Sequence, residues 1–183
     1  MRTAVSTFIL MIAMAAMFSA AASAQTSLKV GTPAPEFSGA SIEGGFYDLK
    51  QMRGKVVLLI FWSTRCEICK NEIPKLNQLK SKYEGRGVEL LGLSMDNEDK
   101  LTAYLKRNPF NFHILPDSFG IVMQYADKDR SGNIDMGFPA YFLIDQNGVI
   151  AFRGNGWDQI DKLTSRLDSM TAQPTASAGS LAP

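Results

Sequence analysis

Two apolar runs frame this chain. Val56 to Phe61 is an unbroken stretch of β-branched, leucine and aromatic residues, which predicts a strand buried on both faces and central in a sheet; Val88 to Ser94 reads as a second buried strand. Between them Ile73, Leu76, Leu79 and Tyr83 recur at helical spacing up to Gly85, and Pro74 within that helix is expected to bend it. After the second run, Leu101, Tyr104 and Leu105 share one helix face, and Asn108-Pro109 closes it. A strand, helix, strand, helix order implies parallel pairing through right-handed crossovers. Phe112 to Leu115 reads as a short strand and Ser118 to Tyr125 as a short helix. Ala140 to Ile144 and Val149 to Arg153 flank Asp145-Gln146-Asn147-Gly148, whose Asn-Gly predicts a hairpin. Asp158 is expected to cap a closing helix that buries Ile160, Leu163, Leu167 and Met170. The pattern therefore predicts an α/β domain, a mixed central sheet flanked by helices, with its last strand pair antiparallel.

The chain ends differ in character from this core. Arg2, the apolar stretch Phe8 to Phe18 and the small residues Ala22-Ser23-Ala24 have the order of a secretory leader cut after Ala24. Uncleaved, Ala4 to Ala22 would be just long enough to anchor the chain in a membrane. Both outcomes put residues 25–170 in an extracytoplasmic, disulfide-permissive space, of which a bacterial periplasm is the expected one. Residues 171–183, small, polar and containing proline, read as a disordered tail. Of 183 residues, 19 are Lys or Arg and 18 Asp or Glu, a net charge of +1 that falls to zero when Arg2 leaves with the leader. No basic stripe stands out in the sequence, which argues against nucleic acid as a partner.

The chemistry is carried by cysteine. Cys66 and Cys69 are the chain's only two, placed where the first buried strand gives way to a helix. Residues at i and i+3 lie one above the other on a helix, so their sulfurs come within bonding range. As a structural staple, so small a loop would restrain the unfolded chain by only about 2 kcal/mol. Structural zinc needs four ligands, and beyond the two cysteines there is only His113, itself expected to be a packed strand residue. A redox pair is the reading left standing, with no metal and no cofactor beyond the disulfide itself. A cysteine at a helix N-terminus has its thiolate stabilised by unpaired N–H groups and the dipole, which makes Cys66 the nucleophile and Cys69, one turn inward, the resolving thiol. Arg65 would favour that thiolate and Glu67 oppose it. Glu72, three residues beyond Cys69, shares its face and could either shuttle a proton or serve as a surface or ion-paired helix residue.

Three segments, VGTPAPEF, RGKVVLLIFWSTRCEICKNEIPKL and GFPAYFLIDQNGVIAFR, together resemble the TlpA/ResA-like thiol-disulfide oxidoreductases of the thioredoxin superfamily. The resemblance implies a thioredoxin fold with an extra N-terminal hairpin, and dithiol–disulfide exchange with protein cysteines, often as a reductant; apocytochromes c and a membrane electron donor are the partners it suggests. It places Cys66 and Cys69 on the nucleophile and resolving cysteines, Trp62 on the aromatic just upstream and Glu72 on the helix glutamate near the site. It also places Pro139 on a cis-proline that would turn the Phe138 backbone toward Cys66, where an extended substrate segment could pair with it. Two positions depart from the family pattern: Arg65 stands where a second Trp is usual, and Ile68 where Pro is common.

The segment from Tyr125 to Gly137 is longer than the family's usual connection, an insertion before the cis-proline loop. Asp127, Asp129, Ser131, Gly132, Ile134 and Asp135 match much of a calcium loop, but Phe138 stands where its bidentate Glu belongs, so a polar insertion that helps select partners is the preferred reading. Two rivals remain. A peroxidase of peroxiredoxin type would carry Thr at position 63 and Pro at position 59, where this chain has Ser63 and Leu59. A Cu(I)-handling module would want soft ligands nearby, yet Met52, Met95, Met123, Met136 and Met170 all lie away from the cysteines.

Overall fold

A computed structural model describes residues 28–129 and 131–172. The leader and most of the tail, with the expected cleavage after Ala24, lie outside them. Two short strands, β1 (Ser38–Ala40) and β2 (Phe46–Asp48), form the N-terminal hairpin that the family resemblance implied. The main sheet is built from β3 (Val56–Trp62), β4 (Val88–Ser94), β5 (His113–Leu115), β8 (Ala140–Ile144) and β9 (Ile150–Asn155), in the order β5-β4-β3-β8-β9. Pairing is parallel across β3, β4 and β5 and antiparallel from β8 to β9, as the sequence pattern predicts, and β3 pairs with β8 antiparallel as well. The β8–β9 turn closes at Asn147-Gly148, with Gly148 at φ 78° and the Asp145 carboxylate accepting from the N–H groups of Asn147 and Val149.

All seven residues of β3 are buried, because alternate side chains feed two cores. Val57, Leu59 and Phe61 face α3 (Phe119–Tyr125) and the N-terminal segment. Val56, Leu58, Ile60 and Trp62 face α1 (Glu67–Lys82), α2 (Glu98–Leu105) and α4 (Ile160–Thr171). The N–H of Ile42 donates to the carbonyl of Ile114 at 2.9 Å, covering the edge strand β5. His113 is a half-buried strand residue whose ring lies 4.7 Å from that of Tyr47. Among the described residues no helix is long and apolar enough to cross a membrane.

Pro74 lies inside α1, which runs on to Lys82; Pro74 and Lys70, whose carbonyl loses its donor, both sit on the exposed face. One local expectation needs correction. Asp158 does not cap α4. Its φ of 57° is left-handed, whereas a capping side chain needs an extended backbone, and Gln159 occupies the cap position without a side-chain bond.

The insertion forms a small hairpin of its own, β6 (Asp127–Lys128) and β7 (Ile134–Asp135). Two carboxylates of the stretch that resembled a calcium loop are engaged within the protein. The Asp129 carboxylate accepts from the N–H groups of Ser131 and Asn133, and Asp127 is held by Arg153 at 2.6 Å. Among the described residues no group of three or more His, Cys, Asp or Glu is placed to hold a metal.

Candidate active site

Strand β3 delivers the chain to the site at Trp62, and three residues turn it into α1. The carboxylate of Asp96, just past β4, accepts from the backbone N–H of Thr64 at 2.8 Å and is ion-paired with Lys100. Burial pushes the Asp96 carboxyl up, but hydrogen bonds from Lys100 and Thr64 outweigh it and hold it below the ordinary carboxylate range, so this tether is an anion at neutral pH. The adjacent strand end thus fixes the loop that carries the cysteines.

Cys66 is the N-cap of α1. Its sulfur accepts from the backbone N–H of Cys69 at 3.1 Å, in the place where a Ser or Asp oxygen would usually satisfy a free helix donor. The two cysteines are joined, with S–S 2.14 Å and Cα atoms 5.2 Å apart. Cys66 is half-buried, whereas Cys69 is 4% exposed. One sulfur is therefore accessible and the other lies behind it.

Beneath the pair, Glu72 is fully buried at 0% exposure. Its Oε1 accepts from Lys75 Nζ at 2.9 Å, and its Oε2 has no hydrogen-bond partner among the described residues. The hydrogen bond from Lys75 to Glu72, and then the carboxylate's charge, raise the Lys75 amine above its ordinary value. Tyr141, fully buried on β8, has its phenol pushed up by burial and then by the Glu72 charge, which puts the two groups within electrostatic reach of each other.

The Phe138–Pro139 peptide is cis, as the resemblance implied. Phe138 is half-buried and packs against the same core cluster as Cys66 and Cys69, and the β8 ladder begins only at Ala140, leaving Phe138 outside it. The Pro139 carbonyl accepts from Gly156 N–H at 2.8 Å, drawing in the β9–α4 loop. That loop presents Trp157, 52% exposed, with Lys75 Nζ 5.7 Å from its ring centroid. Trp62, expected on the substrate face, lies beneath the site at 1% exposure, its ring 4.7 Å from Phe110 and 5.6 Å from Tyr104.

The structure thus gathers Cys66, Cys69, Glu72 and Phe138-Pro139 at one end of the sheet and adds Lys75, Tyr141 and Trp157. Lys75 is i+3 from Glu72, a spacing that could have signalled the ion pair. Tyr141 carries no such signal, since an apolar strand run gives no sign that one of its members faces a distant carboxylate.

Comparison with known proteins agrees with this geometry. Residues 30–153 match the model of the AhpC/TSA family. The chain belongs to the AhpC/TSA family. Thiol-disulfide oxidoreductase ResA of Bacillus cereus is 31% identical over 150 residues, covering 81% of this chain and 83% of that protein. ResA of Geobacillus thermodenitrificans is 34% identical over 126 residues, 69% of each. Among solved structures, the dsbF protein of MTB, in mixed oxidized and reduced forms, superposes with a TM-score of 0.61 at 25% identity, over 76% of this chain and 98% of that one. A thioredoxin-family thiol:disulfide interchange protein of Chlorobium tepidum shares the fold, with a TM-score of 0.66 at 21% identity, over 80% and 99%. This member of the AhpC/TSA family is a thiol-disulfide oxidoreductase with a thioredoxin-like fold and a CxxC pair at disulfide distance.

Proposed function

We propose that this oxidoreductase works in the extracytoplasmic space as a reductant of partner-protein disulfides, apocytochromes c among them. The observation that carries the reading is the asymmetry of the pair. An accessible Cys66 sulfur accepts the Cys69 N–H at the start of α1, and Cys69 and Glu72 lie buried behind it. In the reduced enzyme the Cys66 thiolate attacks one sulfur of the partner disulfide. A mixed disulfide forms and the partner's other sulfur leaves as a thiolate. Cys69 then yields its proton to Glu72 and attacks Cys66 Sγ, the second partner thiolate departs, and two electrons have passed to the partner. Phe138 offers the extended partner segment a backbone to pair with. A membrane electron donor restores the dithiol.

Equilibration with glutathione tests the direction. A potential below about −230 mV is expected of a reductant, and one near that of the strongly oxidising thiol proteins, about −120 mV, would reverse it. Turnover is expected with a disulfide substrate and not with hydrogen peroxide, since Leu59 is sealed inside β3 and Ser63 follows it. Peroxide turnover at a comparable rate would favour the peroxidase reading.

Glu72→Gln keeps the side chain's shape but removes its capacity to take a proton. The variant is expected to fold normally and to resolve mixed disulfides about a hundredfold more slowly, with a changed pH profile, measured by stopped-flow. An unchanged profile would leave Glu72 as the structural partner of Lys75.

A further inference from the structure

Next to the cysteine loop, a groove of about 780 Å³ lies between the start of α1 and α2. It is lined by Thr64 and Arg65 of the cysteine loop, Lys70 of α1, Lys100 and Tyr104 of α2, and Arg107 of the turn that follows α2. All four cations are exposed. Two carboxylates oppose them: Asp96, which engages Lys100, and Glu67, near enough to raise the Tyr104 phenol together with burial. Among the described residues Arg65, Lys70 and Arg107 form no ion pair. The excess is local, for the whole chain carries only +1. Separate elements therefore bring an excess of positive charge to a groove whose near end, Arg65, is the residue next to the Cys66 nucleophile.

We propose that this groove selects partner proteins by an acidic segment, at least two carboxylates within a few residues of the partner's reactive cysteine. The inference rests on the exchange reading above and specifies its substrate. Charge complementarity argues for that occupant: carboxylates meet unpaired guanidinium and ammonium groups, and the field steers the encounter before sulfurs touch. Lys100 and Tyr104, four residues apart, share one face of α2, and Arg107 of the following turn lines the same groove.

The experiment uses four disulfides: three peptides of equal length whose cysteine flanks are Asp/Glu-rich, Ser-rich or Lys-rich, and uncharged hydroxyethyl disulfide. The acidic peptide is expected to exceed the lysine peptide in kcat/KM by about tenfold at low salt, an advantage that shrinks toward one at about 1 M salt, where screening acts over a few ångströms. In Lys70→Gln/Arg107→Gln the acidic-to-lysine ratio is expected to collapse, and in Arg107→Glu to fall further; using a ratio cancels any general loss of activity. Equal rates for all three peptides or an undiminished ratio in the variants would each overturn the proposal. Failure of the wild-type protein on every disulfide, hydroxyethyl disulfide included, would instead overturn the exchange reading beneath it.

Discussion

Replacing Cys66 with serine is expected to abolish disulfide exchange, whereas replacing Cys69 with serine should yield a protein that reacts once and stays joined to its partner. The difference follows from where the two sulfurs lie. Cys66 caps α1, is partly open to solvent and accepts a backbone N–H, the arrangement that stabilises a thiolate. A hydroxyl in its place is not ionised at neutral pH and cannot attack a disulfide, so turnover should fall to the background of free small thiols. Cys69, 4% exposed, meets only what Cys66 has already captured. Without it the mixed disulfide has no internal thiol to break it, and the adduct should accumulate as a mass increment on Cys66, removed by reductant. Activity retained by Cys66→Ser would show that the electrons pass elsewhere. A Cys69→Ser protein that turns over repeatedly and forms no adduct would show that resolution comes from an external thiol.

What could be read in the sequence was whatever depends on near neighbours or on a long uniform run. β3 was legible because every position from Val56 to Phe61 is apolar, and only a strand flanked by two cores wants that. The cysteine pair and Glu72 were legible because they share one helix, where spacing alone fixes the face. Features made by distant segments were not. Trp62 was expected among the substrate-binding residues because its position matched a family aromatic, but strand alternation decides which core it enters, and it enters the one beneath α1. Asp158 had the right side chain for a cap and the wrong backbone, left-handed at φ 57°. The basic groove joins residues 65 and 70 to residues 100 and 107, so no window along the chain reveals it. Nor could the contact of Trp157 with Lys75 be foreseen, since it depends on the Gly156–Pro139 hydrogen bond that draws the loop in.

Trp62→Ala is expected to cost about 3–5 kcal/mol of folding stability, the range for removing a large buried aromatic and leaving a cavity. The ring has nowhere to be replaced from. It is 1% exposed, stacked on Phe110 and Tyr104, and seated over Gly92 of β4, where an added Cβ would fall 3.2 Å from the indole nitrogen and 2.5 Å from Ile114 Cδ1. The indole N–H has no hydrogen-bond partner among the described residues, so the loss is one of packing and apolar burial rather than of a polar contact. Domains of this size commonly hold about 5–15 kcal/mol in total, so the change would remove a large share of what keeps the protein folded. The site should weaken with it, because Trp62 is the last residue of β3 and the loop to Cys66 starts from it. Urea unfolding followed by far-ultraviolet circular dichroism measures the effect. Trp62→Phe, which keeps a ring between Phe110 and Tyr104, should lose less than half as much. A loss under about 1 kcal/mol in Trp62→Ala would mean that the surrounding rings close the cavity and that the indole does not hold up the redox loop.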